Sequence, residues 1–142
     1  MTTAPYLTSK PGDALPELAI AMDRTTIVAA AIASQDFEDV HHDPGKAQDR
    51  GTPDIFMSIN STNGFVDRYV TDWAGPTARL RKLSLRLGVP LFPGDTLTFR
   101  GEVTDVADGL VTLSVTGSND RGPHVTATIV LGPVEQQPGD AR

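Results

Sequence analysis

Within Ser34-Gln35-Asp36-Phe37-Glu38-Asp39-Val40-His41-His42-Asp43 the chain gathers two of its three histidines and four carboxylates. Asp36 and His41 stand five residues apart, a separation over which a loop can fold back and set both side chains around one small molecule such as water. A carboxylate accepts a hydrogen bond and orients a ring or a water. An imidazole, with a reference pKa near ~6.5, gains or loses a proton close to neutral pH. Acid–base work is the chemistry this pair suits. The plain alternative is a solvated acidic loop in which His41 or His42 caps a helix end.

The elements that would position the pair can be read on both sides of it. Ahead lies an Ala-rich stretch, Thr25 to Ala33, where Ile27, Val28, Ala31 and Ile32 follow a helical period and Asp23 or Thr25 can cap. Behind lies Pro44-Gly45, and Pro44 to Asp49 predicts one short helical turn ended by Gly51. A first strand is expected over Leu15 to Met22, with Pro16 near its start, where a missing N–H is tolerated. Met1 to Gly12 reads as polar and loose.

Asp54 to Trp73 is the longest helical stretch, with Ile55, Ile59, Val66, Tyr69, Val70 and Trp73 at three- or four-residue steps. Its centre, Asn60-Ser61-Thr62-Asn63-Gly64, is small and poorly helix-forming. That suits either a polar face or close packing of a sheet, and close packing is the expectation. Gly75-Pro76 breaks the pattern. Beyond it Leu83/Leu85/Leu87, Leu97/Phe99 with Val103 and Val106, Val111/Leu113/Val115, and Val125/Ala127/Ile129 alternate with polar residues. Turn signals at Pro93-Gly94-Asp95, Ala107-Asp108-Gly109 and Asn119-Asp120-Arg121-Gly122 separate these runs. One strand, helical segments and four strands in hairpin succession give an α+β fold, an antiparallel sheet packed on one long helix. A single domain over 1–142 is expected, with 1–11 and 133–142 as flexible ends. Such a sheet leaves edges and apolar surface that pairing with a second copy or a relative would bury.

Composition narrows the partners. The formal net charge is −6, whereas a nucleic-acid binder needs a basic surface to displace counterions. Arg79, Arg81, Lys82 and Arg86 nevertheless cluster, a patch suited to a phosphorylated ligand or simply to a solvated strand edge. Without cysteine there are no disulfides, thiolate metal sites or Cys nucleophile, which fits a reducing compartment. No signal-peptide pattern and no span-length apolar run is present, so a cytoplasmic location and no membrane partner are expected. No metal site is expected, since adjacent His41 and His42 point apart and no third ligand has a recognisable spacing. His124, inside a strand pattern, reads as a satisfied histidine. No nucleophile elbow, P-loop or GxGxxG is present.

Ser34-Gln35-Asp36 followed by His41 and Asp43 resembles the hydratase motif of the MaoC-like, hot-dog-fold enoyl-CoA hydratases. The similarity continues through Gly12 to Pro16, Ala47 to Gly51, Thr62 to Gly64, and Arg86 to Pro93-Gly94-Asp95-Thr96-Leu97. Within that family, Asp36-Phe37, Val40-His41-His42-Asp43, Asp72 to Pro76 and Leu85 to Pro90 most resemble the small subunit of heteromeric hydratases of bacterial steroid side-chain degradation. The chain departs from the family at Glu38-Asp39, where Asn-Pro is usual, and at Ser58-Ile59, where His-Gly is usual.

The resemblance implies a hot-dog fold, one sheet wrapped around one central helix, and hydration of a 2-enoyl-CoA. Asp36 and His41 would be the catalytic pair and the backbone amide of Ile59 the oxyanion donor. Arg79, Arg81, Lys82 and Arg86 would be candidates for the CoA phosphates. It also implies a steroid enoyl-CoA with a shortened side chain, no cofactor beyond the CoA of the substrate itself, and a larger MaoC-like partner in a heterodimer or heterotetramer. Alternatives are a homodimeric (R)-specific hydratase of fatty acyl-CoAs, a hot-dog thioesterase using Asp54, Asp67 or Asp72, and a non-catalytic subunit.

Overall fold

The computed structural model describes residues 4–133. In order, the elements are α1 (Pro5–Thr8), β1 (Ala14–Ala21), α2 (Arg24–Ala33), a 3-10 turn (Asp39–His41), α3 (Pro44–Asp49), α4 (Ile59–Ala74), β2 (Ala78–Leu87), β3 (Thr96–Ala107), β4 (Leu110–Asn119) and β5 (Gly122–Pro133). The five strands form one antiparallel sheet in the order β1-β3-β4-β5-β2. Two-residue turns join β3 to β4 and β4 to β5, so the hairpins expected from the turn signals are present. β1 and β2, separated by the helices, become the two edges.

α4 lies on the inner face of this sheet. Thr62, Val66, Tyr69, Val70 and Ala74 are buried at helical spacing, which is the periodicity that marks a core-facing stripe. The Tyr69 ring stacks on Phe99 of β3 at 5.2 Å, and its hydroxyl donates to the Pro16 carbonyl at 2.9 Å. Leu97, Phe99, Val103, Leu113, Val115, Val125, Ile129 and Leu131 supply the sheet side of the core. This is the hot-dog arrangement.

Several boundaries differ from the sequence expectation. The central helix starts at Ile59 and not at Asp54. Asp54 takes the Arg24 guanidinium through two bonds, at 2.9 and 2.7 Å. Phe56 and Met57 give their N–H groups to Val40 and Leu91 carbonyls. Those pairings hold the stretch extended until Ser58 caps the helix. Of the small polar centre, Ser61 and Thr62 are buried as expected of close packing, whereas Asn60 and Gly64 are exposed. The N-terminal stretch is anchored where it is described: Tyr6 is buried and its hydroxyl donates to Thr77 O at 2.8 Å. Gly132 and Pro133, expected in a tail, end β5 paired with Arg79 and Ala78. The remainder of the expected tail, 134–142, and residues 1–3 lie outside the described residues.

Candidate active site

The carboxylate is aimed by the way α2 ends. Gln35 adopts a positive φ of 58°, its N–H reaches the Ile32 carbonyl at 3.0 Å, and the Asp36 N–H reaches Ala31 at 2.9 Å. Those are the two bonds of a Schellman motif, which reverses the chain at a helix C-terminus. Asp36 is therefore carried back along the helix rather than onward into solvent.

The histidine comes from the 3-10 turn. Arg50 clamps that turn, with Nη1 3.3 Å from Glu38 Oε2 and Nη2 3.1 Å from Asp39 Oδ1. Glu38 and Asp39 are thus used in shaping the loop. His41 is buried, and its Nδ1 lies 2.7 Å from the Phe56 carbonyl. A carbonyl only accepts, so Nδ1 carries the hydrogen and the neutral ring presents its lone pair at Nε2. Nε2 is 3.6 Å from Asp36 Oδ2. That is too long for a good direct hydrogen bond and suits two acceptors sharing one water. His42 is exposed.

His41 lines a cleft of about 320 Å³ with Phe56, Met57 and Ile59 on one side and Leu87, Gly88, Val89, Pro90 and His124 on the other. Asp36 opens on a neighbouring hollow with Phe37, Glu38 and Asp39. The second wall depends on Gly88, where a Cβ would sit 2.2 Å from the Pro123 carbonyl oxygen. Gly88 and Val89 donate to the carbonyls of His124 and Pro123 at 2.7 and 2.9 Å.

Ile59 is the first residue of α4. Ser58 caps it, its Oγ accepting from Ser61 N at 3.1 Å. The Ile59 N–H belongs to the first-turn donors that have no intrahelical acceptor, so a backbone donor stands at the cleft that holds His41. Its side chain is 47% exposed.

Arg79, Arg81, Lys82 and Arg86 are not brought into this cleft. All four are exposed on β2, where a bulge between Leu80 and Lys82 turns both Arg81 and Lys82 outward. Arg81 Nη2 donates to the Pro133 carbonyl at 2.7 Å. The end of β2 does reach the cleft, through Leu87 and Gly88. Among the described residues no group of three His, Asp or Glu side chains is placed to hold a metal ion.

Sequence reasoning missed three contributors: the Phe56 carbonyl that fixes the His41 tautomer, the Ser58 cap, and a buried Thr62–His124 pair. His124 Nε2 is 2.9 Å from Thr62 Oγ1, and Nδ1 is 2.7 Å from the Val89 carbonyl. Burial holds His124 below the usual histidine range, against the opposing pull of the Val89 bond and the Asp95 charge. Ser58, followed by an apolar residue and then polar ones, was a cap signal. The contact of His124 with Thr62 spans 62 positions and left no local trace.

A MaoC like domain model matches residues 8–121. The chain belongs to that family. It is 55% identical over 120 residues to the 3-oxo-4,17-pregnadiene-20-carboxyl-CoA hydratase beta subunit of Mycobacterium tuberculosis (strain ATCC 25618 / H37Rv), covering 84% of this chain and 93% of that one. Its structure is similar to a chain of the ChsH1-ChsH2 complex from Mycobacterium tuberculosis, with a TM-score of 0.87 and 52% identity over 89% of this chain and 100% of that chain. An (R)-hydratase from A. caviae involved in PHA biosynthesis has the same fold, with a TM-score of 0.81 at 21% identity, over 89% of this chain and 98% of that one.

Proposed function

We propose that this chain is the catalytic small subunit of a heteromeric enoyl-CoA hydratase that acts on a steroid thioester with a shortened side chain. The observation that carries the reading is the 55% identity to a steroid carboxyl-CoA hydratase subunit over 93% of that subunit, in a chain that sets Asp36 and His41 3.6 Å apart. The partner is a larger MaoC-like subunit, as the similarity to a chain of a two-component complex supports.

Water held by the pair donates one hydrogen to Asp36 and one to His41 Nε2, leaving its oxygen free to attack. The hydroxyl adds to the β-carbon of the enoyl thioester. The pair relays one water proton to the α-carbon, so it ends as it began. Charge developing on the thioester oxygen is met by the Ile59 N–H at the positive end of α4. Addition of water needs no redox step, and the CoA arrives as part of the substrate. Arg79, Arg81, Lys82 and Arg86 offer exposed cations for its phosphates on the strand that runs into the cleft. The thioesterase reading has lost one of its acids, because Asp54 lies outside α4 and is held by Arg24. A cytoplasmic location belongs to the same proposal, in keeping with a chain that has no cysteine.

The test is expression with and without the larger subunit, followed by assay of hydration of a steroid enoyl-CoA and of crotonyl-CoA. Hydration of the steroid thioester only in the complex is expected. Hydration of crotonyl-CoA by the lone chain would indicate a homodimeric fatty-acyl hydratase, and no hydration in either state would sink the reading.

A further inference from the structure

His124, in the wall of the cleft, and Thr62, which it meets, have one proton too few for the acceptors around them. The Val89 carbonyl only accepts, so His124 Nδ1 must carry its hydrogen. In the neutral ring Nε2 is then an acceptor and needs the Thr62 hydroxyl, 2.9 Å away. The same hydroxyl lies 3.1 Å from the Ser58 carbonyl oxygen. One hydrogen serves two acceptors. Both side chains are buried, His124 to 2% and Thr62 to 0% exposure, so water does not stand in freely for the missing donor.

The Ser58 carbonyl is half of the peptide unit whose other half is the Ile59 N–H. It already accepts the Thr62 N–H at 3.0 Å. A second bond, from the Thr62 hydroxyl, fixes that unit further and polarises it, strengthening the N–H at its far end. His124 meanwhile holds Val89 in the opposite wall, and the His124 carbonyl accepts from Gly88. One side chain thus ties the two walls of the cleft and competes for the hydrogen bond behind the candidate oxyanion donor.

We propose that His124 is a positioning residue for hydration, acting through Thr62 on the Ser58–Ile59 peptide. The inference rests on the hydratase reading for its kinetic consequence and on geometry alone for its structural one. When His124 is neutral, the hydroxyl turns to Nε2. When the ring is protonated, Nε2 donates to Thr62 and the hydroxyl is released to Ser58. The other titratable and charged groups near this pair are His41 across the cleft, and Asp95, paired with Arg121.

The decisive variant is Thr62→Val, which keeps the shape and removes the hydroxyl, with Thr62→Ser as the conservative restoration. In the complex, at a pH acidic enough to charge His124, Thr62→Val should lower kcat about tenfold or more with KM changed less than about threefold, since sub-ångström misplacement of a transition-state donor acts on kcat. At about pH 8, where neutral His124 takes the hydroxyl, the two proteins should differ less. Thr62→Ser should recover most of the rate. In 1H–15N spectra of the isoleucine-labelled chain in the complex, the Ile59 amide should follow the His124 titration in the wild type. In Thr62→Val it should lose that dependence. Folded Thr62→Val with wild-type kcat across that pH range, or a wild-type Ile59 amide indifferent to His124, would overturn the proposal. Should the wild-type complex hydrate nothing, the hydratase reading has failed and the spectra alone decide on His124.

Discussion

Asp36 Oδ2 and His41 Nε2 stand 3.6 Å apart, and the other nitrogen of the ring is already committed to the Phe56 carbonyl. The pair is therefore two acceptors facing one another with a tautomer fixed from behind. A water that bridges them from beside the line joining the two atoms has both hydrogens taken and its lone pairs free, which is the state a nucleophilic water needs.

From that arrangement, Asp36→Ala and His41→Ala should each lower hydration by about 10²- to 10⁴-fold. Asp36 is half-buried at a helix end and is not in the hydrophobic core, so Asp36→Ala should keep fold and assembly. Rate measurement on the complex, with size-exclusion chromatography as the control, checks this. A folded, assembled Asp36→Ala with an undiminished rate would remove the carboxylate from the mechanism.

The loop pair was legible because its two residue types sit five positions apart between recognisable helix and turn signals. The strands were legible because one face of the sheet is buried and the other exposed, which writes a two-residue period into the chain. The start of α4 was not. Ile55 sits at the helical spacing of the core stripe yet is buried from an extended segment. Nothing local announces that Asp54 is taken by Arg24, 30 positions away. The basic cluster was visible as composition, but its separation from the cleft depends on which face of β2 each residue takes. A bulge decides that, and alternation alone does not predict it.

Gln35 holds the left-handed turn that aims Asp36, at a φ of 58°. For a residue with a Cβ that conformation carries a strain of order 1–2 kcal/mol, which glycine lacks. Offset by the greater freedom of glycine in the unfolded chain, Gln35→Gly should stabilise by about 0.5–1 kcal/mol and raise Tm by roughly 2–5 °C. A lowered Tm in a thermal melt would mean that the Gln35 side chain contributes something beyond its backbone angle.

Gly117 on β4 stands opposite Phe99 on β3. A Cβ there would meet the Phe99 ring at 2.8 Å, Val125 at 2.9 Å and Leu97 at 3.0 Å, three core side chains with no free space behind them. Gly117→Ala should overpack the core and cost about 1–3 kcal/mol, read as a lower denaturation midpoint at unchanged m-value. A neutral result would show that the Phe99 ring has room to tilt, and with it the Tyr69 ring stacked on it.

The buried His124 also sets a pH dependence of stability whose sign follows from its position. Burial lowers its folded pKa beneath the ordinary histidine value of 6.5, with the Val89 bond and the Asp95 charge opposing. On acidification the unfolded chain takes up this proton near ~6.5, and the folded chain only at lower pH. Between the two values the unfolded state binds more protons, so the free energy of unfolding falls as pH falls, and the loss stops growing once the folded ring is protonated as well. Asp95 stays ionised through this window. Burial would raise its pKa, but Arg121, the Phe92 N–H and Asn119 together hold it below the usual carboxylate value. His124→Phe, which fills the space without titrating, should be less stable than the wild type at pH 8, since it orphans the Val89 carbonyl, while the Thr62 hydroxyl keeps the Ser58 carbonyl as its acceptor. The gap between the two proteins should then narrow as pH drops below 6.5. Urea denaturation from pH 8 to pH 5 measures both, and parallel curves would mean that His124 is not buried neutral.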